Sequence, residues 1–168
     1  EILDSYHFLA LIDFVRAKAE LARTFKAIEP KVGAEPHIDF IRAIHPLLQL
    51  SLSRKERTAE NNDVPLAVVP LDIQITKEKR LLIISGPNAG GKSVCLKTVG
   101  LLQYMLQCGL SIPVDERSMV GMFKNLMIDI GDEQSIENDL STYSSHLMNM
   151  KNMMKQANPY TLILIDEF

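Results

Sequence analysis

The feature that most constrains the fold is a glycine-rich octapeptide between an apolar run and a segment with helical periodicity. Residues 86–93, GPNAGGKS, fit the pattern G-x-x-x-x-G-K-[ST]. The run before it, LLII at residues 81–84, is continuous and apolar, as is typical of a buried parallel strand. The segment after it predicts a helix over residues 93–108, which ends at Gly109. A strand, a glycine-rich turn and a helix in this order predict an α/β sheet.

The octapeptide has the composition of a phosphate-binding loop. Glycines allow the backbone to curl so that successive N–H groups face one point, and the following helix N-terminus adds roughly half a positive charge. Lys92 would place its ammonium on the β- and γ-phosphates, and Ser93 would give a hydroxyl oxygen to Mg²⁺. We expect the whole pattern to bind nucleotide: Gly86, Pro87, Asn88, Ala89, Gly90, Gly91, Lys92 and Ser93. Two roles stay open for the asparagine, contact with the γ-phosphate and shaping of the turn; the alternative for the whole loop is a connector with an exposed lysine.

A second candidate element lies near the end of the chain. The apolar run LILI at residues 162–165 predicts a buried strand, and Asp166 and Glu167 follow it directly. Open α/β sheets bind ligands at the carboxyl ends of their strands. We therefore expect Asp166 to hold Mg²⁺, directly or through water, and Glu167 to orient and polarise an attacking water. The alternative is that the two acids only cap an exposed strand end.

The remaining segments predict further helices and strands. An apolar stripe predicts a helix in the first thirty residues, and the polar stretch at residues 51–63 predicts a solvated loop. Short apolar or alternating runs predict strands at residues 37–45, 64–69, 71–75, 126–130 and 160–165. A Met-rich helix is predicted over residues 141–157, and His146 within it is interpreted as a surface or cap residue.

Composition limits the classes of partner. Eighteen Lys and Arg against 21 Asp and Glu leave a net charge of −3, so no basic excess is present to hold a phosphate backbone by itself. The apolar runs are far shorter than the ~20 residues of a membrane-spanning helix. Two cysteines suit a reducing compartment, and the N-terminus lacks both a signal peptide and an initiator Met. We expect a cytoplasmic protein without a membrane partner, cut from something longer.

Three motifs together resemble one family. GPNAGGKS at 86–93, GDEQSIENDLSTYSSH at 131–146 and LILIDE at 162–167, in this order, resemble the ATPase domain of MutS-type DNA mismatch-repair proteins, and most closely the second bacterial MutS branch. The resemblance implies an α/β fold, the P-loop NTPase of the ATP-binding-cassette type, present in part. Residues 1–30 would be the end of a helical lever or core region. Residues 31–168 would be the N-terminal part of the ATPase domain, truncated just after its Walker B strand.

The resemblance also implies ligands and partners. ATP or ADP and Mg²⁺ would bind in a homodimer, where each nucleotide lies between the phosphate loop of one subunit and the signature segment, residues 138–145, of the other. Ser141 would contact the γ-phosphate in trans, although a role as N-cap of its own helix stays open. Gln134 would sense Mg²⁺ or the attacking water, or else be an ordinary loop amide. DNA would bind through parts of the protein mostly outside this chain.

The expected function is ATP hydrolysis in a DNA-binding protein of mismatch repair or recombination control, where nucleotide-driven dimer closure changes the grip on DNA. Two alternatives stay open. One is a nucleotide-sensing DNA scaffold with negligible turnover. The other is an ATPase of the SMC or recombination type, whose LSGGQ-like signature contrasts with DLST at residues 139–142.

Overall fold

The computed structural model describes residues 2–58, 67–87, 91–130 and 139–166. Four helices and six strands occur in these ranges: α1 Ile2–Phe25, β1 Lys31–Gly33, β2 Ile38–Ala43, α2 Pro46–Thr58, β3 Leu71–Ile75, α3 Lys92–Gln107, β4 Met119–Gly121, β5 Asn125–Asp129, α4 Asp139–Gln156 and β6 Thr161–Ile165. Within these ranges no helix combines the length and the apolar character that crossing a bilayer requires.

The first sheet is mixed and has four strands in the order β1-β4-β2-β3. β1 runs parallel to β4, whereas β2 pairs antiparallel with both β4 and β3. The buried side chains of β2 are Ile38, Phe40 and Ala43, and the register with β3 shifts between the last two. The alternation up to Phe40 is what a strand with one face on a core requires.

The second sheet is a parallel pair of β5 and β6, in register from Asn125 opposite Thr161 to Asp129 opposite Ile165. Helix α3 packs on this pair through Gly100, where an added Cβ would lie 2.9 Å from the Leu164 Cδ1 atom. Buried side chains of α3 belong to the same core cluster as buried side chains of both sheets. Helix α3, which begins at the glycine-rich loop, therefore connects the two sheets through one core.

The predicted fold class is wrong as a description of this structure. A partial P-loop NTPase fold of the ATP-binding-cassette type behind a helical segment would have residues 81–84 as a buried strand beside the other parallel strands. In the structure these residues are not a strand, and Leu81 and Ile83 are 81% and 75% exposed. The molecule is instead a small α/β structure with a mixed sheet and a separate parallel pair.

The physical reason for this difference lies at the edge of β6. Leu82, Ile84 and Leu164 line one cavity of about 790 Å³, and β6 hydrogen-bonds to β5 alone among the described strands. A strand needs backbone partners as well as apolar side chains. In the structure, residues 81–84 contribute side chains to this cavity but their backbone pairs with none of the described strands, so the apolar pattern alone over-predicts a strand here.

Most of the other predicted helices and strands agree with the structure, and two predicted segments do not. The strands predicted at 37–45, 71–75, 126–130 and 160–165 are confirmed with shifts of one or two residues at their ends, as are the helices predicted at 93–108 and 141–157. The predicted loop at 51–63 is wrong as far as residue 58, because α2 continues to Thr58. Residues 67–69 are not a strand, and residues 59–66 lie outside the described ranges.

Candidate functional site

The described ends of the glycine-rich loop have backbone conformations that favour glycine. Gly86 has φ 153°, and Gly91 has φ 79° and ψ 17°, in the left-handed region. No atom of the residues that the structure describes lies within 4 Å of an added Cβ at either position, so among them the requirement for glycine is conformational and does not come from steric crowding. Residues Asn88, Ala89 and Gly90 lie outside the described ranges.

The N-terminus of α3 has the character of an anion site. Gly91 is its N-cap residue and makes no side-chain hydrogen bond to the first turn, which also carries no acidic side chain. The partial positive charge of the helix start is therefore not neutralised by its own side chains. Ser93 lies in this first turn and is half-buried.

Lys92 closes the described part of the loop on itself. Its Nζ donates a hydrogen bond of 2.5 Å to the carbonyl oxygen of Gly86. The ammonium group, the helix N-terminus and the hydroxyl of Ser93 thus belong to one short segment. This set of donors fits a polyphosphate, which needs several N–H groups and a cation close together.

The carboxyl ends of β5 and β6 form the second part of the candidate site. Because the two strands are parallel and in register, Asp129 and Asp166 lie at the same edge of the pair. The backbone N–H of Asp166 donates to the carbonyl oxygen of Asp129 at 2.9 Å, and the Asp166 residue is half-buried. Glu167 lies outside the described ranges.

Asp129 is a site residue that the sequence interpretation missed. Its side chain is buried, with 6% exposure of the residue, and its two carboxylate oxygens are 2.9 Å from Nδ1 of His146 and 3.1 Å from Nδ2 of Asn149. The signal in the sequence was weak: a carboxylate at the end of an apolar strand, and two polar residues three apart on a later helix. The interpretation of His146 as a surface or cap residue is corrected, because its ring is half-buried against this carboxylate.

The predicted signature segment is described only in part. Helix α4 begins at Asp139, so the backbone of Ser141 lies in its first turn and not at its N-cap position. Gln134 lies outside the described ranges. Within those ranges no cluster of three or more His, Cys, Asp or Glu could hold a metal ion. A nucleotide-bound Mg²⁺ does not require such a cluster, since it is usually held by one or two protein oxygens together with phosphates and water.

The chain belongs to the MutS family. The sequence profile of MutS domain V, which is the ATPase domain of MutS proteins, matches residues 82–168, more than half of the chain. This match includes the glycine-rich loop, the start of α3 and the carboxyl ends of β5 and β6. The resemblance of the three sequence motifs to this family is therefore confirmed.

Curated relatives place the chain near one branch of that family. It is 43% identical over 166 residues to the endonuclease MutS2 of Latilactobacillus sakei, covering 99% of this chain and 19% of that protein. The endonuclease MutS2 of Enterococcus faecalis is 42% identical over 167 residues, again 99% and 19% of the two chains. That of Caldanaerobacter subterraneus is 42% identical over 156 residues, or 93% and 18%. The chain thus spans about a fifth of the length of these relatives.

Proposed function

We propose that the chain is part of an ATP-binding and ATP-hydrolysing module in a DNA-binding protein that acts in mismatch repair or recombination control. The observation that carries the proposal is the start of α3. There Gly91, Lys92 and Ser93 bring together a helix N-terminus whose N-cap residue makes no side-chain hydrogen bond, an ammonium and a hydroxyl. Membership of the family through its ATPase domain supports the same function.

The proposed roles follow from the chemistry of each side chain. Lys92 and the amides of residues 86–93 hold the phosphates, as Walker A loops do. Ser93 and Asp166 hold Mg²⁺, and Asp166 does so directly or through water. When bound, Mg²⁺ supplies positive charge that offsets the charge of the phosphate oxygens. Glu167 orients and polarises the attacking water, and Gln134 senses Mg²⁺ or that water. The protein contributes by positioning and by electrostatic stabilisation of γ-phosphoryl transfer to water.

The proposed assembly is a homodimer in the cytoplasm without a membrane partner. Ser141 of one subunit acts on the nucleotide held by the other, and closure on ATP changes the grip on DNA. Residues 1–30 form the end of a lever or core region, and residues 31–168 form the N-terminal part of the ATPase domain. The exposure of the apolar residues of α1 supports this division, since Phe25 is its only buried residue among those described. The net charge of −3 supports the proposal that DNA binds through parts of the protein mostly outside this chain.

The decisive experiment replaces the proposed water-activating residue in the full-length protein. Glu167→Gln is expected to lower kcat for ATP by about a hundredfold or more, because general-base assistance contributes about 10²–10⁴. The affinity for ATP should stay within about twofold, since the loop that binds the phosphates is unchanged. Steady-state phosphate release and calorimetric titration of ATP measure the two quantities.

A matched control is Glu116→Gln, which removes one carboxylate from an exposed residue outside the candidate site. It should leave both kcat and affinity unchanged. A Glu167→Gln protein with the wild-type kcat would contradict the catalytic assignment. A wild-type protein that binds ATP without measurable turnover would favour the nucleotide-sensing scaffold instead.

A further inference from the structure

We propose that Asp129 is a positioning residue: through His146 and Asn149 it fixes the helix that carries the Ser141 signature against the strand edge that carries Asp166. The inference rests on the proposed function, because it assigns a role in the same ATPase reaction. It concerns a residue outside the three sequence motifs that match the family.

The side chains of His146 and Asn149 both form hydrogen bonds with the carboxylate of Asp129, and we call this arrangement of three residues the polar clamp. His146 Nδ1 lies 2.9 Å from Oδ2 of Asp129, and Asn149 Nδ2 donates to Oδ1 at 3.1 Å. A carboxylate accepts only, so Nδ1 carries the hydrogen in this contact. The two donors are three residues apart on α4 and therefore lie on one face of that helix.

Burial makes this polar clamp significant for the position of α4. Among the α4 side chains that the structure describes, Met153 alone is buried, and it lies toward the C-terminal end of the helix. Nearer Ser141, the described side chains are those of Ser144, His146 and Leu147, and none of these three is buried. The hydrogen bonds to the buried carboxylate of Asp129 hold His146 and Asn149, and with them this part of α4, against the end of β5.

Asp129 is also hydrogen-bonded through its backbone to Asp166, the residue proposed to hold Mg²⁺. The carbonyl oxygen of Asp129 accepts the backbone N–H of Asp166 at 2.9 Å. Ser141 lies five residues before His146, about 7.5 Å along a helix axis. One residue therefore connects a helix proposed to act on the partner's nucleotide with a strand end proposed to hold Mg²⁺ in its own subunit. A shift of either element changes the hydrogen bonds of the other.

The test compares two substitutions of His146 in the full-length protein. His146→Leu removes the donor, and kcat for ATP should fall about tenfold, as expected for loss of a hydrogen bond to a charged group. KM and the affinity for ADP should stay within about twofold, because the glycine-rich loop is not altered. His146→Asn, whose amide N–H can occupy the place of Nδ1–H, should restore most of kcat. Asn149→Ala, at an exposed position, should lower kcat in the same direction by a smaller factor.

The control pair is His37→Leu and His37→Asn. His37 is also half-buried, but its Nδ1 contacts the carbonyl oxygen of Glu35, away from the strand edge. Both variants should keep the wild-type kcat. Equal losses in His146→Leu and His146→Asn, or a rise in KM without a change in kcat, would overturn the positioning role.

A double-mutant cycle with Ser141→Ala identifies the element through which His146 acts. If the clamp positions the signature, His146→Leu should have little further effect on kcat in the Ser141→Ala protein. Multiplicative effects, or a wild-type kcat in Ser141→Ala alone, would contradict the inference. Glu167→Gln separates the two proposals: if it abolishes turnover while His146→Leu does not lower kcat, the ATPase function stands and the clamp fails.

Discussion

His45 shows how a single side chain defines the start of a helix. Its Nδ1 accepts the backbone N–H of Leu48 at 3.4 Å, and Pro46 occupies the first position of α2. Proline is favoured at that position because the missing N–H would have had no partner. Burial lowers the pKa of His45 below its ordinary value of about 6.5, and the nearby charge of Lys97 lowers it further. His45 is therefore a hydrogen-bonded structural histidine.

This cap predicts a loss of stability in mild acid. Because the folded-state pKa lies below the unfolded value, the neutral ring stabilises the fold above about pH 6.5, and this contribution is lost as the pH falls through the folded-state pKa. Protonation converts the acceptor into a donor and places a positive charge at a helix N-terminus. The free energy of unfolding, from urea titrations of the chain between pH 7.5 and about 5, should fall with pH.

The matched variant for this effect is His45→Asn. Asparagine is a preferred N-cap residue and does not titrate, so the decrease of stability in acid should become smaller while stability at pH 7.5 is retained. His7→Asn, at an exposed position in α1, should leave the pH profile unchanged. A His45→Asn protein with the full wild-type slope would show that other groups cause the acid sensitivity.

Individual residues differ in how far their roles can be predicted from sequence. Gly91 was predictable, because a glycine between a loop and a helix fits the left-handed conformation that it adopts. Asp129 and His146 were not, since 17 residues separate them and only the packing of α4 on β5 brings them together. Periodicity describes each element by itself, and a polar contact between two elements leaves no period in the sequence.

At the scale of elements, two glycines permit close packing of different kinds. In β4, an added Cβ at Gly121 would overlap the backbone carbonyl oxygen of Glu35 and lie 2.6 Å from the nitrogen of His37. In α3, an added Cβ at Gly100 would meet the methyl end of Leu164 at 2.9 Å. A backbone atom cannot move without shifting its strand or loop, whereas a side-chain end can rotate away.

These contacts predict unequal effects of the same substitution. Gly121→Ala should lower the free energy of unfolding by about 3 kcal/mol, at the upper end for overpacking of a core. Gly100→Ala should change it by less than about 1 kcal/mol, because the better helix propensity of alanine offsets the displacement of Leu164. Urea unfolding of both variants measures the difference. Equal losses would contradict the distinction between backbone and side-chain neighbours.

Elements with a strong local signal were predicted well, and those that depend on partners were not. The individual strands β5 and β6 follow from short apolar runs, and β2 follows from its alternation, whereas the pairing of β5 with β6 was not predicted. The run at residues 81–84 has the same local signal, but its side chains line a cavity beside β6 and its backbone is not in a sheet. Conversely, residues 51–58 lack a large apolar stripe and still continue α2, since the cap at His45 and Pro46 starts a helix that polar residues can extend.

At the scale of the whole molecule, α3 connects the candidate site to the rest of the structure. Its first turn belongs to the glycine-rich loop, and its middle packs on β5, β6 and the four-stranded sheet through one core. A ligand that binds the loop is therefore linked to the stability of the core around α3. The family match covers this helix and the parallel pair, but begins after the four-stranded sheet's β1, β2 and β3.

This connection predicts that nucleotide stabilises the folded protein by mass action. A ligand that binds only the folded state adds about 2.7 kcal/mol to the free energy of unfolding at a hundred times its Kd. In the full-length protein, ADP with Mg²⁺ should therefore raise Tm with increasing concentration, and adenosine, which lacks phosphates, should not. Removal of Mg²⁺ with EDTA should reduce the shift, because the phosphate charges then lose their counterion.

Two lysines of α3 provide the matched comparison for this prediction. Lys92→Ala removes the ammonium that bonds across the loop to Gly86, so the Tm shift with ADP should disappear or require a much higher concentration. Lys97→Ala removes an exposed ammonium one turn further along the same helix and should keep the wild-type shift. Equal shifts in the two variants would mean that ADP binds elsewhere, since a phosphate held at the N-terminus of α3 depends on the charge beside Gly91 and not on one farther along the helix.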